Sequence, residues 1–90
     1  MNESDNSRTT LVEDEDFESV VLQQLLDLHP TRLTVSELSR ELSGGRGGFT
    51  ERDALERAVR DLAAVGLVHR SEEFVAPTRA ALRFSELLDR

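Results

Sequence analysis

Cysteine, lysine, tryptophan and tyrosine are all absent from this 90-residue chain, and phenylalanine occurs only four times. Without cysteine there are no disulfides, no thiolate metal ligands and no thiol nucleophile. Without tyrosine or tryptophan, and with phenylalanines spaced like core residues, little remains to stack on unpaired bases, which argues against single-stranded nucleic acid. No apolar run approaches the roughly 20 residues that span a bilayer. The N-terminus is polar and acidic and lacks a signal-peptide pattern, so the expected compartment is cytoplasmic and no membrane partner is expected. Catalytic groupings are missing too. His29 and His69 fall in no metal-ligand spacing and read as a helix-end and a strand residue. The serines come with no nucleophile elbow and no His–acid pair. Neither an enzyme nor a cofactor is expected.

What the chain does have is charge, unevenly placed. The net charge is −7, and acidic proteins are poor polyanion binders as a rule. Residues 1–18 hold seven acids (Glu3, Asp5, Glu13, Asp14, Glu15, Asp16, Glu18) against Arg8, for a net of −6. Residues 19–90 hold eleven acids and ten arginines, for a net of −1. A near-neutral body therefore carries an acidic tail. All basic residues being arginine suits bidentate contact to guanine or phosphate, and is equally what arginine-favouring codons of a GC-rich genome produce.

The first sixteen residues offer Leu11 and Val12 as their only apolar side chains beyond Met1, too little to offset ordering entropy. Residues 1–16 are expected to be a disordered acidic arm, either solvated or folded back as a charge shield over a basic surface. A domain of 17–90 follows. Phe17, Val20, Val21, Leu25 and Leu28 recur at helical spacing, and Leu22 and Leu26 widen the stripe. A face this wide predicts a helix over 17–29 buried on two sides, stopped by Pro30. Residues 32–34 are β-permissive. Thr34 and Glu37 form a capping box for a second helix of about 34–42 carrying Val35, Leu38 and Leu42.

Thr50 caps a third helix, about 50–65, whose buried face is Leu55, Ala58, Val59 and Leu62. Gly66 fits the C′ position of a Schellman ending, with Leu67 folding back on Leu62. Residues 67–70 and 74–77 read as strands of a hairpin around Ser71, Glu72 and Glu73. Pro77 ends the second strand, and Thr78 caps a last helix with Ala81, Phe84, Leu87 and Leu88 on one face.

The glycine-rich stretch SGGRGGF, 43–49, is no P-loop, because no Gly-Lys-Ser/Thr follows it. It is no dinucleotide fingerprint, because a helix rather than a strand precedes it. One arginine is too little for an RGG tract. It is read as a connector between the second and third helices, longer than the usual helix-turn-helix turn.

The fold class expected is mainly α with a small β-hairpin (α+β), in the order α-β-α-α-β-β-α. That order over 17–90, and above all the passage DLAAVGLVHRSEEFVAPT, resembles the winged helix-turn-helix superfamily. The passage is similar to the recognition helix, glycine and wing of small bacterial transcription regulators of the MarR, PadR and ArsR groups. The resemblance implies a DNA-binding transcription regulator whose third helix enters the major groove of double-stranded DNA, with the hairpin as wing.

On these residues, Arg52, Arg57 and Arg60 are expected to contact phosphate or guanine. Thr50 and the free amides of the helix start are expected to hold a phosphate. Arg40 and Arg46 are expected on the DNA backbone, and Arg70 beside the wing. The competing reading is a solvated or protein-facing helix, because Asp53–Arg57 and Glu56–Arg60 have i,i+4 spacing. The two glutamates of the wing tip would repel phosphates, and they favour a protein-protein interaction module as the alternative function. The wide first helix and the last helix are expected to form a homodimer, unless one compact core uses all of their side chains.

Overall fold

The computed structural model describes the backbone of residues 3–43 and 52–89, and the side chains of residues 15–43 and 52–89. Among the described residues the chain forms four helices and a small three-stranded antiparallel sheet, a mostly helical α+β architecture. None of these helices is long and apolar enough to cross a membrane.

Helix α1 spans Glu3–Leu28. Val21 and Leu25 are buried on it, and Phe17, Leu22 and Leu28 pack partly buried against the same core. The helix begins well before this apolar stripe. The spacing predicted a start at Phe17, and the backbone of α1 starts at Glu3. The physical reason is that neither glycine nor proline occurs before Pro30, and adding residues to an existing helix is far cheaper than starting one. At the other end α1 stops just before the cis His29–Pro30 bond.

Strand β1 (Leu33–Thr34) leads directly into α2 (Val35–Ser43). The expected capping box is formed reciprocally. The Glu37 amide donates to Thr34 Oγ1 at 3.1 Å, and the Thr34 amide donates to Glu37 Oε1 at 2.9 Å. Val35 and Leu38 are the buried residues of α2.

Helix α3 (Arg52–Ala64) buries Leu55, Ala58, Val59 and Leu62, the four residues its spacing selects. Its C-terminus closes as a Schellman motif. Gly66 has φ +85, its amide donates to Ala63 O at 3.1 Å, and the Leu67 amide donates to Leu62 O at 2.9 Å.

The hairpin consists of β2 (Val68–Ser71) and β3 (Phe74–Pro77), joined through Glu72 and Glu73. Ser71 belongs to the strand, opposite Phe74, so the loop is one residue tighter than the expected Ser71–Glu73 tip. Two-residue hairpin loops need φ > 0 at one or both central positions, and Glu72 supplies it at φ 57. The expected hairpin is also only part of the sheet. Strand β1 pairs with β3, Leu33 opposite Val75 and Thr34 opposite Phe74, giving the order β1-β3-β2. Because β1 ends its pairing at Phe74 and Val75, Pro77 sits where no neighbour on that side requires its missing N–H.

Helix α4 (Arg79–Leu88) is capped by Thr78, whose Oγ1 accepts from the Ala81 amide at 3.2 Å. One core gathers Val21 and Leu25 of α1, Leu33, Val35 and Leu38, the four α3 residues, and Val68 and Val75 of the sheet. Helix α1 packs on α3, β3 and α4. Its stripe is therefore consumed mainly within one chain, and Val20 is its exposed member at 52%. In α4 the expected apolar face divides. Ala81 is buried, whereas Phe84, Leu87 and Leu88 are 60%, 46% and 68% exposed.

Candidate functional site

Helix α3 packs with its apolar stripe inward, against α1 on one side and against α2 and β2 on the other. That fixes its outward residues as Arg52, Asp53, Arg57, Arg60 and Asp61, with Glu56 half-buried at the edge. Three arginines face three acids, so this surface carries no net charge. The pairs differ from the Asp53–Arg57 and Glu56–Arg60 pairs that the spacing suggested. Glu56 pairs with Arg52 and with Arg70 rather than with Arg60, each at 3.9 Å. Arg60 lies 3.8 Å from its neighbour Asp61, and Asp53 and Arg57 form no ion pair with any described residue.

The cause is the sheet. Arg70 stands opposite Val75 on β3, a fully buried residue. Residues opposite each other share a sheet face, so Arg70 leaves the sheet on the side that packs against α3. Its guanidinium meets Glu56 there. Arg52 reaches the same carboxylate from one turn earlier and donates through Nη1 to Ser36 Oγ of α2 at 3.0 Å. Two arginines from different elements thus converge on one acid. Around them opens a cleft of about 430 Å³ lined by Thr34, Val35, Ser36, Arg52, Glu56, Arg70 and Glu73.

Both ion pairs are long and substantially exposed, so each contributes no more than about 0–1 kcal/mol to folding. Weak pairs are easily exchanged. A phosphate offers a guanidinium the same kind of bidentate acceptor as a carboxylate, and Arg52 and Arg70 are near enough to Glu56 to share one anionic acceptor.

The remaining sequence candidates are more scattered. Arg57 lines a second, smaller groove between α1 and α3 with Phe17, Glu18, Ala54, Ala58 and Asp61. Arg40 is exposed on α2, and no described contact joins it to the arginines of α3. Thr50 and Arg46, with residues 44–49 of the glycine-rich connector, lie outside the described residues. Ser36 and the bridging role of Glu56 were not anticipated. A capping box marks the start of α2, but nothing in the spacing says that Arg52 donates to Ser36 or that β2 delivers Arg70 to Glu56.

No protein-family model, curated protein or solved structure matches this chain. The functional reading rests on these residues.

Proposed function

We propose that the chain is a winged helix-turn-helix transcription regulator that binds double-stranded DNA, with α3 in the major groove and the β2–β3 hairpin as its wing. The observation that carries this reading is the convergence of Arg52 and Arg70 on Glu56, which joins the outer face of α3 to the hairpin beside it. Arg57 and Arg60 are also exposed on α3. In this reading Arg57 and Arg60 read base edges, where a good bidentate contact discriminates by about 1–3 kcal/mol. Arg52, Arg70 and Arg40 hold phosphates, a role also proposed for Thr50 and Arg46, and so set register rather than sequence. Two copies acting together as a homodimer would suit a palindromic site.

The test is selection from a random duplex pool at low salt, repeated with Arg52→Ala, Arg57→Ala and Arg60→Ala. Enrichment of a defined duplex is expected, with relaxed preference for Arg57→Ala or Arg60→Ala and uniformly weaker binding for Arg52→Ala. An unenriched pool, or binding indifferent to all three changes, overturns the proposal.

One observation favours a second reading. The hairpin tip exposes Glu72 and Glu73, and the outward charges of α3 cancel, a combination that suits a protein partner better than phosphates. A winged-helix protein-protein interaction module would retain a stoichiometric protein partner on affinity capture, and lose it when both glutamates become Gln.

A further inference from the structure

We infer that the sheet face turned away from α3 carries a phosphate-binding site, in which Arg32, His69 and Ser71 hold one phosphate group above Phe74 and Ala76. None of these residues carries the DNA reading.

The site follows from the register of the sheet. Side chains alternate between the two faces of a strand, and residues opposite each other share a face. Val68 and Arg70 of β2 and Val75 of β3 belong to the α3 side, where Val68 and Val75 are buried. His69 and Ser71 therefore stand on the other face, opposite Ala76 and Phe74. Strand β1 pairs Leu33 with Val75, so Arg32, one residue earlier, falls in line with Ala76 on that same outer face. One row across the three strands thus reads Arg32, Ala76, His69. The small residue lies in the middle, and the two basic ones beside it are exposed. With Ser71 and Phe74 they line a groove of about 130 Å³.

The chemistry of the lining names the ligand. Arg32 brings a permanent cation, His69 a cation whenever its ring is protonated, and Ser71 a hydroxyl donor. No carboxylate lines the groove, and neither Arg32 nor His69 forms an ion pair with any described residue. Glu73 of the adjoining turn lines the cleft on the α3 side instead. The half-buried floor of Phe74 and Ala76 keeps water from one side of a bound group, which strengthens each charge contact. Donors arriving from opposite edges of the sheet suit a tetrahedral anion, whose oxygens point several ways. A carboxylate's two coplanar oxygens match a single guanidinium fork. Sites for whole organic ligands run from about 300 Å³ upward, so this groove fits one small anionic group. Two sources can present that group: free phosphate or a small phosphate monoester, and the backbone of a duplex.

Amide NMR spectra of the full chain test the site, titrated with inorganic phosphate at constant ionic strength and about pH 6, where imidazole is mostly protonated. Saturable shifts centred on His69, Ser71 and Ala76 are expected, with a dissociation constant on the order of millimolar. Arg32→Gln and His69→Gln should each weaken binding about tenfold, through loss of a charge-assisted hydrogen bond. Arg32→Lys should recover part of the affinity, because it restores the charge without the fork. Both positions are exposed, so circular dichroism should show the fold kept. If either Gln variant fails to fold, Ser71→Ala, expected to weaken binding severalfold, decides in its place. Shifts that sodium chloride reproduces, that spread over all arginines alike, or that survive these substitutions overturn the inference.

Titration with a mixed-sequence duplex separates the two sources. For a backbone phosphate, Arg32→Gln and His69→Gln weaken duplex binding and lower the salt slope by about 0.9 for each lost contact. For a free phosphate, duplex binding is unchanged while inorganic phosphate no longer binds. Either result upholds the site and assigns its ligand. Shifts at Ser36 and Arg52 report the cleft on the other face, so failure here leaves the duplex selection standing, and failure of that selection leaves this site standing.

Discussion

The hydroxyl of Thr78 donates to the carbonyl oxygen of Gly66 at 2.7 Å, tying the start of α4 to the end of α3. Thr78 Oγ1 itself accepts from the Ala81 amide at 3.2 Å, and the Thr78 amide donates to Leu67 O at 3.0 Å. One side chain thus caps α4 and satisfies a carbonyl left over beyond α3. Thr78→Val keeps the shape and removes both side-chain bonds. A loss of about 1–3 kcal/mol is expected, combining a lost cap with an unpaired carbonyl. Thr78→Ser should retain most of the stability, because its hydroxyl can repeat both contacts. Urea unfolding of the three chains measures this, and equal losses for Val and Ser would show that packing of the methyl matters instead.

Gly66 itself is required for its backbone, not for space. Its φ is +85, and a Cβ built there would meet nothing within 4 Å. The cost of Gly66→Ala is therefore conformational, about 1–2 kcal/mol for an L-residue held in the left-handed region. Gly66→Asn should cost less than Ala, because asparagine visits that region more readily. Thermal unfolding should rank the three as Gly, then Asn, then Ala. If Ala proves as stable as Gly, the Schellman ending does not constrain this junction.

Local signals account for what the sequence makes legible, and tertiary ones for what it conceals. Thr34 with Glu37, Gly66 with Leu67, and the Leu55–Ala58–Val59–Leu62 stripe could all be read because their partners lie within five residues. The third strand was harder: Leu33 and Thr34 look β-permissive, but pairing with Val75 and Phe74 is a long-range choice. The start of α1 was missed because composition measures what a segment can bury, and not whether a neighbouring helix will extend into it. The α4 stripe was visible as apolar, yet periodicity could not tell which apolar residues face this chain and which face outward. Arg52, Arg57 and Arg60 on α3 and Arg70 on β2 were identifiable from the sequence as basic residues. The Glu56 bridge depends on where β2 packs, and no spacing encodes that.

The division of apolar residues between core and open face has a measurable consequence. Leu38 is fully buried between α2 and the core, whereas Phe84 is 60% exposed. Leu38→Ala should cost about 2–5 kcal/mol in chemical unfolding, from lost transfer energy and the cavity left behind. Phe84→Ala should cost under about 0.5 kcal/mol in dilute protein, as an exposed substitution does. Its effect should grow with protein concentration if the residue lies in a dimer, since association stabilises by mass action. A large loss at high dilution would instead mean that Phe84 supports the fold of the single chain.

Glu56 is the position where stability and the proposed binding activity should separate. Glu56→Gln is nearly isosteric and removes the charge that holds Arg52 and Arg70, while the Arg52–Ser36 hydrogen bond can persist. Stability should change by less than about 1 kcal/mol, because both ion pairs are 3.9 Å long and open to solvent. Duplex binding should strengthen severalfold, and each arginine released onto a phosphate should steepen the dependence of log K on log salt by about 0.9. Glu73→Gln is the control, because Glu73 lines the same cleft but pairs with no described residue. Removing that charge should strengthen binding only modestly and leave the salt slope nearly unchanged. Titrations of both variants at several salt concentrations separate the two effects. Equal slopes for Glu56→Gln and Glu73→Gln would mean that bulk charge, and not release of the two arginines, governs affinity.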